Sequence, residues 1–143
     1  MENSIIVCPE CDGLNRVPNQ RLAENPTCGK CKQALFRGKP AALTDGNFNR
    51  HLNGGELPLV VDFWASWCGP CQTMAPAYEQ AAGQIEPRAI LAKVDTEQNP
   101  KLAQRFAIRS IPTLMIFKAG KQVATQAGAM SLPQLVQWIE KQL

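Results

Sequence analysis

Long apolar runs and a strong excess of either charge are both missing from this 143-residue sequence. No stretch approaches the roughly 20 apolar residues of a membrane-spanning helix, and apolar residues 5–7 are too short a run for a signal peptide. The net charge is +3, with six Lys/Arg against four Asp/Glu in residues 1–40 and nine against eight in residues 41–143. Neither part has the basic field that nucleic-acid binding needs. We therefore expect a soluble, cytoplasmic, monomeric protein with no nucleic-acid or membrane partner.

Histidine and nucleotide-binding glycine motifs are also scarce. His51 is the only histidine, and it falls on a short predicted helix seventeen residues before Cys68. We interpret it as a solvated helix residue, which argues against a cysteine–histidine hydrolase. No glycine fingerprint of a nucleotide-binding fold occurs, so reducing equivalents for any redox chemistry must come from a partner.

The composition and length predict one packed domain with a small appendage. Hydrophobic residues make up 45% of the chain and charged residues 19%, which is typical of globular proteins. We place the boundary near Pro40, which gives an extension of residues 1–40 and a domain of residues 41–143. The extension is rich in turn formers, and only residues 5–7 and 34–36 resemble strands. Something other than hydrophobic burial must therefore hold it together.

Four cysteines in the extension have the spacing of a zinc site. Two C-x-x-C pairs are separated by 16 residues, and their members are Cys8, Cys11, Cys28 and Cys31. Each C-x-x-C turn directs two thiolates toward one point, so two turns complete a tetrahedron around one Zn²⁺ and leave no position for substrate. We predict one structural zinc. Two disulfides and an iron–sulfur cluster are the alternatives, the first disfavoured by a reducing compartment.

Residues 41–143 alternate strand-like and helix-like segments, which indicates an α/β fold. The run LVVDFW at 59–64 is apolar and β-branched, as expected for a strand buried on both faces. The other predicted elements are a short helix capped by Thr44 or Asp45 with Phe48 and Leu52 on one face, a helix from 68 to 85 containing Pro76, a strand at 89–95, a helix from Pro100 to about Phe106, a hairpin of 113–118 with 122–126, and a last helix opened by a Ser131/Gln134 capping box. We expect a central mixed sheet with helices on both faces.

The third C-x-x-C pair, Cys68 and Cys71, has no second pair with which to bind a metal. The predicted helix start beside Cys68 offers free backbone N–H groups and the positive end of the helix dipole, both of which favour thiolate over thiol. Cys71 follows one turn deeper on the same face, within disulfide reach. We expect Cys68 to point outward and attack a substrate disulfide, and Cys71 to lie beneath it and release the product. Gly69 would let a partner backbone approach, and Pro70 would restrict the turn.

W-C-G-P-C at 67–71, preceded by Val61-Asp62-Phe63-Trp64-Ala65 and followed by Met74-Ala75-Pro76, resembles the thioredoxin family. The likeness extends through about residues 41–143 and includes Ile111-Pro112-Thr113 and the turn at Gly120. With the four N-terminal cysteines added, the sequence is similar to the bacterial thioredoxin 2 type, which carries a zinc-binding extension. The resemblance implies a thioredoxin fold preceded by a small zinc ribbon, and reduction of protein disulfides.

The resemblance also implies roles for individual residues. Pro112 would be a cis-proline beside the dithiol, with the backbone of Ile111 free to pair with a substrate strand. Asp62 would be a buried carboxylate that exchanges a proton with Cys71. Lys93 would be its charge partner on the neighbouring strand. The alternative is that Asp62 has only a structural role and is held by backbone hydrogen bonds. Trp67 and Gly128 would flank the groove that binds the substrate peptide.

Three functions compete for this set of residues. The first is a protein-disulfide reductase that an NADPH-dependent thioredoxin reductase recharges. The second is a zinc-ribbon adaptor whose larger domain is only a scaffold, so that Cys68→Ser leaves its activity intact. The third is a disulfide oxidase or isomerase of the same fold, which Gly-Pro between the cysteines disfavours. In addition, oxidation of the zinc thiolates would release the metal and alter the extension. This suggests that the extension senses oxidative stress.

Overall fold

A two-stranded sheet organises the N-terminal segment of the chain. The structure is a computed structural model and describes residues 2–143. Strand β1 (Asn3–Val7) pairs antiparallel with β2 (Leu14–Pro18), so the predicted strand at 5–7 is confirmed and β2 was missed. The predicted strand at 34–36 is wrong, because this stretch contributes only an isolated bridge between Thr27 and Ala34.

The N-terminal segment also has a small core of its own, which the sequence analysis did not expect. Five of its side chains are buried together: Ile6, Cys8, Val17, Cys28 and Leu35. Leu57, from the following part of the chain, packs against this cluster. Two of the four N-terminal cysteines are therefore core residues as well as candidate metal ligands. The apolar core and the candidate metal site lie in the same part of the segment.

A five-stranded mixed sheet forms the centre of the rest of the molecule, in the order β3-β5-β4-β6-β7. Its strands are β3 (Ala41–Leu43), β4 (Leu59–Trp64), β5 (Ile90–Asp95), β6 (Thr113–Lys118) and β7 (Lys121–Ala127). Strands β3 and β4 are parallel to β5, whereas β6 is antiparallel to both β4 and β7. The predicted strands at 59–64 and 113–118 are confirmed with their bounds. Strand β3 was not predicted, because three residues carry no periodicity.

Two helices cover each face of this sheet, as predicted. Helices α1 (Phe48–Gly54) and α3 (Pro100–Arg105) pack on one face, and α2 (Gly69–Ile85) and α4 (Leu132–Glu140) pack on the other. The central strand β4 supplies both cores because its alternate side chains point to opposite faces, with Val61 and Phe63 on one side and Val60 on the other. Among residues 2–143 no helix has the length and apolarity needed to span a membrane.

The helix caps agree with the sequence only in part. The Ser131/Gln134 capping box of α4 is confirmed, with both reciprocal hydrogen bonds present. The predicted cap of α1 is wrong: Asn47 occupies the N-cap, and its Oδ1 accepts the N–H of Thr44. Asn99 precedes α3 as predicted, but its Oδ1 accepts the N–H of Asp45. That side chain therefore ties the β3–α1 loop to α3.

The interpretation of His51 as a solvated residue is wrong. Its side chain is buried on α1, and its Nε2 lies 2.7 Å from Oδ1 of Asp12 in the N-terminal segment. Arg50 donates from Nε to the carbonyl oxygen of Asp12 at 2.9 Å. Two neighbouring residues of α1 thus hold the residue that follows Cys11, and they fix the N-terminal segment against the larger part of the molecule.

Candidate functional site

The third cysteine pair lies at the N-terminus of helix α2, shortly after the end of strand β4. Cys68 is the N-cap of α2, its Sγ accepts the N–H of Cys71 at 3.2 Å, and Pro70 occupies the first turn, where its missing N–H is harmless. Cys68 and Cys71 form a disulfide, with their Cα atoms 5.3 Å apart. The predicted proximity of the two sulfurs is confirmed, and the helix start is where the sequence placed it.

The outward orientation expected of Cys68 is wrong for this disulfide form. Cys68 is 4% exposed and Cys71 is 3% exposed, and both pack against Ala65, Trp64 and Ile111. The sulfur of Cys68 lies 3.6 Å from the carbonyl oxygen of Ile111. The surroundings remain open, because a Cβ built on Gly69 would meet nothing within 4 Å.

A short loop and the end of β7 border the disulfide. The Ile111–Pro112 peptide bond is cis. Gly128 donates its N–H to the carbonyl oxygen of Pro112 at 2.8 Å, and its φ of +98° suits glycine. Trp67 is 68% exposed, which is unusual for so large an apolar side chain. The structure therefore places Ile111 against the disulfide, with Pro112 and Gly128 beside it and Trp67 exposed next to Cys68.

A carboxylate lies behind the disulfide, on the central strand. Asp62 is 4% exposed and stands opposite Lys93 in the register of β4 and β5. Burial raises the pKa of Asp62 to about 7, against the opposing effect of the Lys93 charge. Oδ1 of Asp62 has no hydrogen-bond partner. The structural alternative, an aspartate held by backbone hydrogen bonds, does not account for this free oxygen.

Asp62 and Cys71 line one cavity of about 190 Å³. Lys93 and Trp64 also line it, and Nε1 of Trp64 is the second buried polar atom without a partner among the described residues. A cavity of this size with several polar groups on its wall has room for water beside Asp62. Asp62, Cys71 and Lys93 are thus brought together, as the resemblance implied.

Tyr78 is a member of this site that the sequence analysis missed. It is buried and lines the cavity. Its hydroxyl donates to the carbonyl oxygen of Ala92 at 2.7 Å, and the carbonyl oxygen of Val60 lies 3.2 Å from the same hydroxyl. It lies seven residues after Cys71, two turns further along the same face of α2, and this spacing is the signal that would have found it. The hydroxyl joins strands β4 and β5 next to Asp62.

The four N-terminal cysteines form a second sulfur site. Their sulfurs all lie within 4.8 Å of one another, and Cys8–Cys31 and Cys11–Cys28 are each 3.6 Å apart. A tetrahedral zinc with Zn–S bonds of about 2.3 Å requires sulfurs about 3.8 Å apart, so the donor set and its spacing fit the ion. All four cysteines are free, which rules out the alternative of two disulfides in this structure.

Backbone and side-chain donors surround these sulfurs. The N–H groups of Lys30 and Cys31 point at Sγ of Cys28 from 3.3 and 3.5 Å, and Nδ2 of Asn15 lies 3.5 Å from the same sulfur. The N–H of Glu10 points at Sγ of Cys8 from 3.4 Å. Such donors favour the thiolate form that a metal requires, so the cluster is a candidate metal-binding site closed on all four sides by sulfur.

Two family models match this chain, in two separate stretches. The family described as Thioredoxin matches residues 39–141, and the family described as Thioredoxin 2, N-terminal, a zinc ribbon, matches residues 7–33. Thioredoxin C-3 from Corynebacterium nephridii is 45% identical over 139 residues, which cover 97% of this chain and 95% of that protein. Thioredoxin 1 from Nostoc sp. is 45% identical over 103 residues, which cover 72% of this chain and 96% of that protein.

A third relative gives the same result at lower identity. Thioredoxin M-type, chloroplastic, from Chlamydomonas reinhardtii is 35% identical over 130 residues, covering 89% of this chain and 93% of that protein. The Nostoc protein is matched over almost its whole length, while over a quarter of this chain lies outside the match. The chain belongs to the thioredoxin family, carries an N-terminal segment of the zinc-ribbon family, and is a thiol–disulfide oxidoreductase.

Proposed function

We propose that this protein reduces disulfides in other proteins, with Cys68 as the attacking thiol and Cys71 as the resolving thiol. The observation that supports this most is the pair's setting: a bonded dithiol at a helix N-terminus, with the unpartnered carboxylate of Asp62 on the cavity that Cys71 lines. The helix start stabilises a thiolate at Cys68, and the carboxylate is placed to exchange a proton with Cys71.

The proposed reaction has two exchange steps. The thiolate of reduced Cys68 attacks a substrate disulfide, so a mixed disulfide forms and one substrate sulfur leaves as a thiolate that takes a proton from water. Asp62 then removes the proton of Cys71, whose sulfur attacks Cys68. The Cys68–Cys71 bond forms, the mixed disulfide breaks, and the second substrate sulfur leaves as a thiolate that takes a proton from water, while Asp62 returns its proton to water. Two electrons pass from the enzyme dithiol to the substrate disulfide. The positive charge of Lys93 stabilises the ionised carboxylate of Asp62.

The surface beside Cys68 is the proposed substrate site. Trp67 offers a large exposed apolar face, and Gly69 leaves room for a partner backbone. Ile111 and Pro112 present backbone next to the sulfur of Cys68, and Gly128 borders them through its hydrogen bond. An extended peptide laid along Ile111 would place its own cysteine over Cys68, and Pro70 would keep the turn rigid while it binds.

The remaining parts of the proposal concern zinc, compartment and recharging. We propose that Cys8, Cys11, Cys28 and Cys31 hold one structural Zn²⁺, that residues 1–40 and 41–143 are separate domains, and that the protein works in the cytoplasm, where thiols stay reduced. Thioredoxin reductase would return the electrons from NADPH. This assignment follows from the family, since the chain has no nucleotide-binding motif of its own.

The direct test measures NADPH consumption with thioredoxin reductase and insulin disulfide as substrate. We expect catalytic consumption that stops when either reductase or insulin is left out, and no consumption at all would overturn the proposal.

A second assay follows reactivation of a scrambled disulfide protein. Net oxidation or reshuffling without NADPH would instead support an oxidase or isomerase.

The two thiol roles need a separate experiment. Cys71→Ser should accumulate mixed disulfides with protein substrates through Cys68, because nothing remains to displace the product. Cys68→Ser is the matched control and should trap none. Equal trapping by both variants would show that the attacking and resolving roles have been wrongly assigned.

A further inference from the structure

One asparagine lies between the two cysteine turns of the N-terminal segment, which is called the ribbon from here on (residues 1–40). Asn15 belongs to β2 and comes two residues before Val17, which is buried in the core of the ribbon. Residues i and i+2 of a strand point to the same face, so Asn15 shares the core face with Val17. Its neighbours Leu14 and Arg16 are exposed. A polar side chain therefore occupies a position on the inner face of the β1–β2 hairpin.

The side-chain amide of Asn15 uses both of its ends. Oδ1 accepts the N–H of Gly29 at 2.9 Å, and Nδ2 donates to the carbonyl oxygen of Gly13 at 3.3 Å. Nδ2 also lies 3.5 Å from Sγ of Cys28. These partners fix the orientation of the amide, because a backbone N–H can only donate and must therefore face the oxygen. The nitrogen, with its two hydrogens, faces the sulfur.

These contacts join two parts of the ribbon that few other interactions connect. Asn15 belongs to the hairpin of residues 3–18, which carries the first cysteine turn, whereas Gly29 and Cys28 belong to the second turn. No other hydrogen bond among residues 2–143 joins residues 3–18 to residues 28–31, apart from the contacts between the sulfurs themselves. Without a metal, the relative position of the two turns therefore depends on this amide and on the small apolar core.

We propose that Asn15 is a positioning residue of the metal site, which aligns the two cysteine turns and supplies a hydrogen bond to the sulfur of Cys28. The inference rests on the proposed binding of zinc by the four ribbon cysteines. Asn15 acts in two ways. Its bond to Gly29 fixes the second turn against the hairpin, and its Nδ2 offsets part of the negative charge that a sulfur ligand carries.

The experiment measures the Zn²⁺ affinity of the reduced, full-length protein by competition with a chromogenic chelator. Asn15→Leu nearly keeps the size of the side chain and removes both hydrogen-bonding ends, so it should weaken Zn²⁺ binding about 10- to 100-fold. Asn19→Leu is the matched control, because Asn19 is an exposed ribbon asparagine whose side chain contacts Ser4 and none of the sulfurs. It should leave the affinity unchanged. An Asn15→Leu protein that binds Zn²⁺ as tightly as the wild type would overturn the inference.

A second variant, Asn15→Asp, separates the two ends of the amide. The aspartate can still accept the N–H of Gly29, but it places a negative oxygen beside the sulfur of Cys28 where the wild type has a donor. It should therefore also bind Zn²⁺ more weakly than the wild type. Because this variant keeps the bond that joins the turns, an unchanged affinity would contradict the role of the donor even if Asn15→Leu failed to fold.

Co²⁺ in place of Zn²⁺ gives a spectroscopic readout of the same hydrogen bond. The sulfur-to-metal charge-transfer band should move to longer wavelength in both Asn15 variants, because a sulfur without its donor gives up charge more easily. A merely structural role would lower the intensity of the band and leave its position unchanged, and that result would overturn the inference.

The zinc proposal is tested separately, by metal analysis of the wild-type protein. A wild type that holds no Zn²⁺ would overturn that proposal and this inference with it. A wild type that holds one Zn²⁺ per chain, together with Asn15 variants of equal affinity, would overturn only the role of Asn15.

Discussion

The same C-x-x-C spacing occurs three times in this chain and produces two different kinds of site. In the ribbon the close sulfur pairs, Cys8 with Cys31 and Cys11 with Cys28, join one turn to the other. Cys68 instead bonds to Cys71 within its own turn. Two of the ribbon cysteines belong to a small core, whereas Cys68 is the N-cap of a helix and is followed in sequence by exposed Gly69 and Pro70 and preceded by exposed Trp67. Spacing brings two sulfurs near each other, and the surroundings decide what they do.

This comparison predicts its largest effect when one cysteine of each kind is replaced. Cys68→Ser should reduce insulin-reducing activity at least about a thousandfold, because the nucleophile is lost, while zinc content stays at one per chain. Cys28→Ser should do the opposite, with zinc lost and activity retained within about tenfold. Metal analysis and the NADPH-coupled assay measure both quantities on the same samples. A Cys68→Ser protein that remains active would support the adaptor hypothesis and remove the distinction between the sites.

Removal of the metal should separate the two regions more gradually. A chelator should release one Zn²⁺ per chain, and amide hydrogen exchange should then rise sharply in the ribbon strands β1 and β2, because metal binding and folding of such segments are coupled. The central strand β4 serves as the internal control and should keep its protection. Exchange that stays slow in β1 after complete metal loss would show that the apolar cluster around Ile6 and Leu35 holds the ribbon without zinc.

Asp62, on the dithiol side of the comparison, should make the free energy of unfolding depend on pH. Its pKa is about 7 in the folded protein against 3.8 for the ordinary group, so the folded state binds the proton more tightly. The contribution of this proton is complete at low pH and is lost as pH rises from about 4 through 7. Asp62→Asn should therefore remain stable at pH 8 and gain, relative to wild type, at most about 4 kcal/mol there.

Urea denaturation of the oxidised protein at pH 5 and pH 8 measures this difference. The gain should be much smaller at pH 5 than at pH 8, since wild-type Asp62 is mostly protonated at the lower pH. The control is Asp45→Asn, at an aspartate that lies outside the cavity. Equal gains at both pH values would mean that Asp62 is not protonated in the folded state near neutral pH.

Most of what depends on neighbours in sequence could be predicted. The buried run LVVDFW, the capping box at Ser131 and the clustering of the four ribbon cysteines all follow from local composition and spacing. The contact of His51 with Asp12 could not be predicted, because its partner lies 39 residues away. The low exposure of Cys68 could not be predicted either, because Ile111, which packs against it, lies 43 residues away in the sequence.

The Asp62 cavity shows a second limit of sequence analysis. The family resemblance implied that Lys93 is the charge partner of Asp62 on the neighbouring strand, and the strand register agrees. Pro40 and Glu79 come from separate parts of the chain, and only the packed structure brings them to the wall of the Asp62 cavity. A motif shared with a family thus indicated the strand pair, but nothing in the sequence indicates the shape of the cavity behind it.

The smallest predicted effect concerns Tyr78, which belongs to the dithiol region and has no counterpart in the ribbon. Tyr78→Phe removes the hydroxyl that bonds to Ala92 and Val60 while keeping the buried ring, so it should cost about 1 kcal/mol of unfolding free energy. Zinc affinity should not change, because the ribbon sulfurs lie elsewhere. Activity should fall less than about threefold if the hydroxyl only joins β4 to β5. A larger loss of activity, accompanied by a shifted pH–rate profile, would instead make Tyr78 part of the proton path from Asp62, and would enlarge the set of groups that distinguishes the redox pair from the metal-binding pairs.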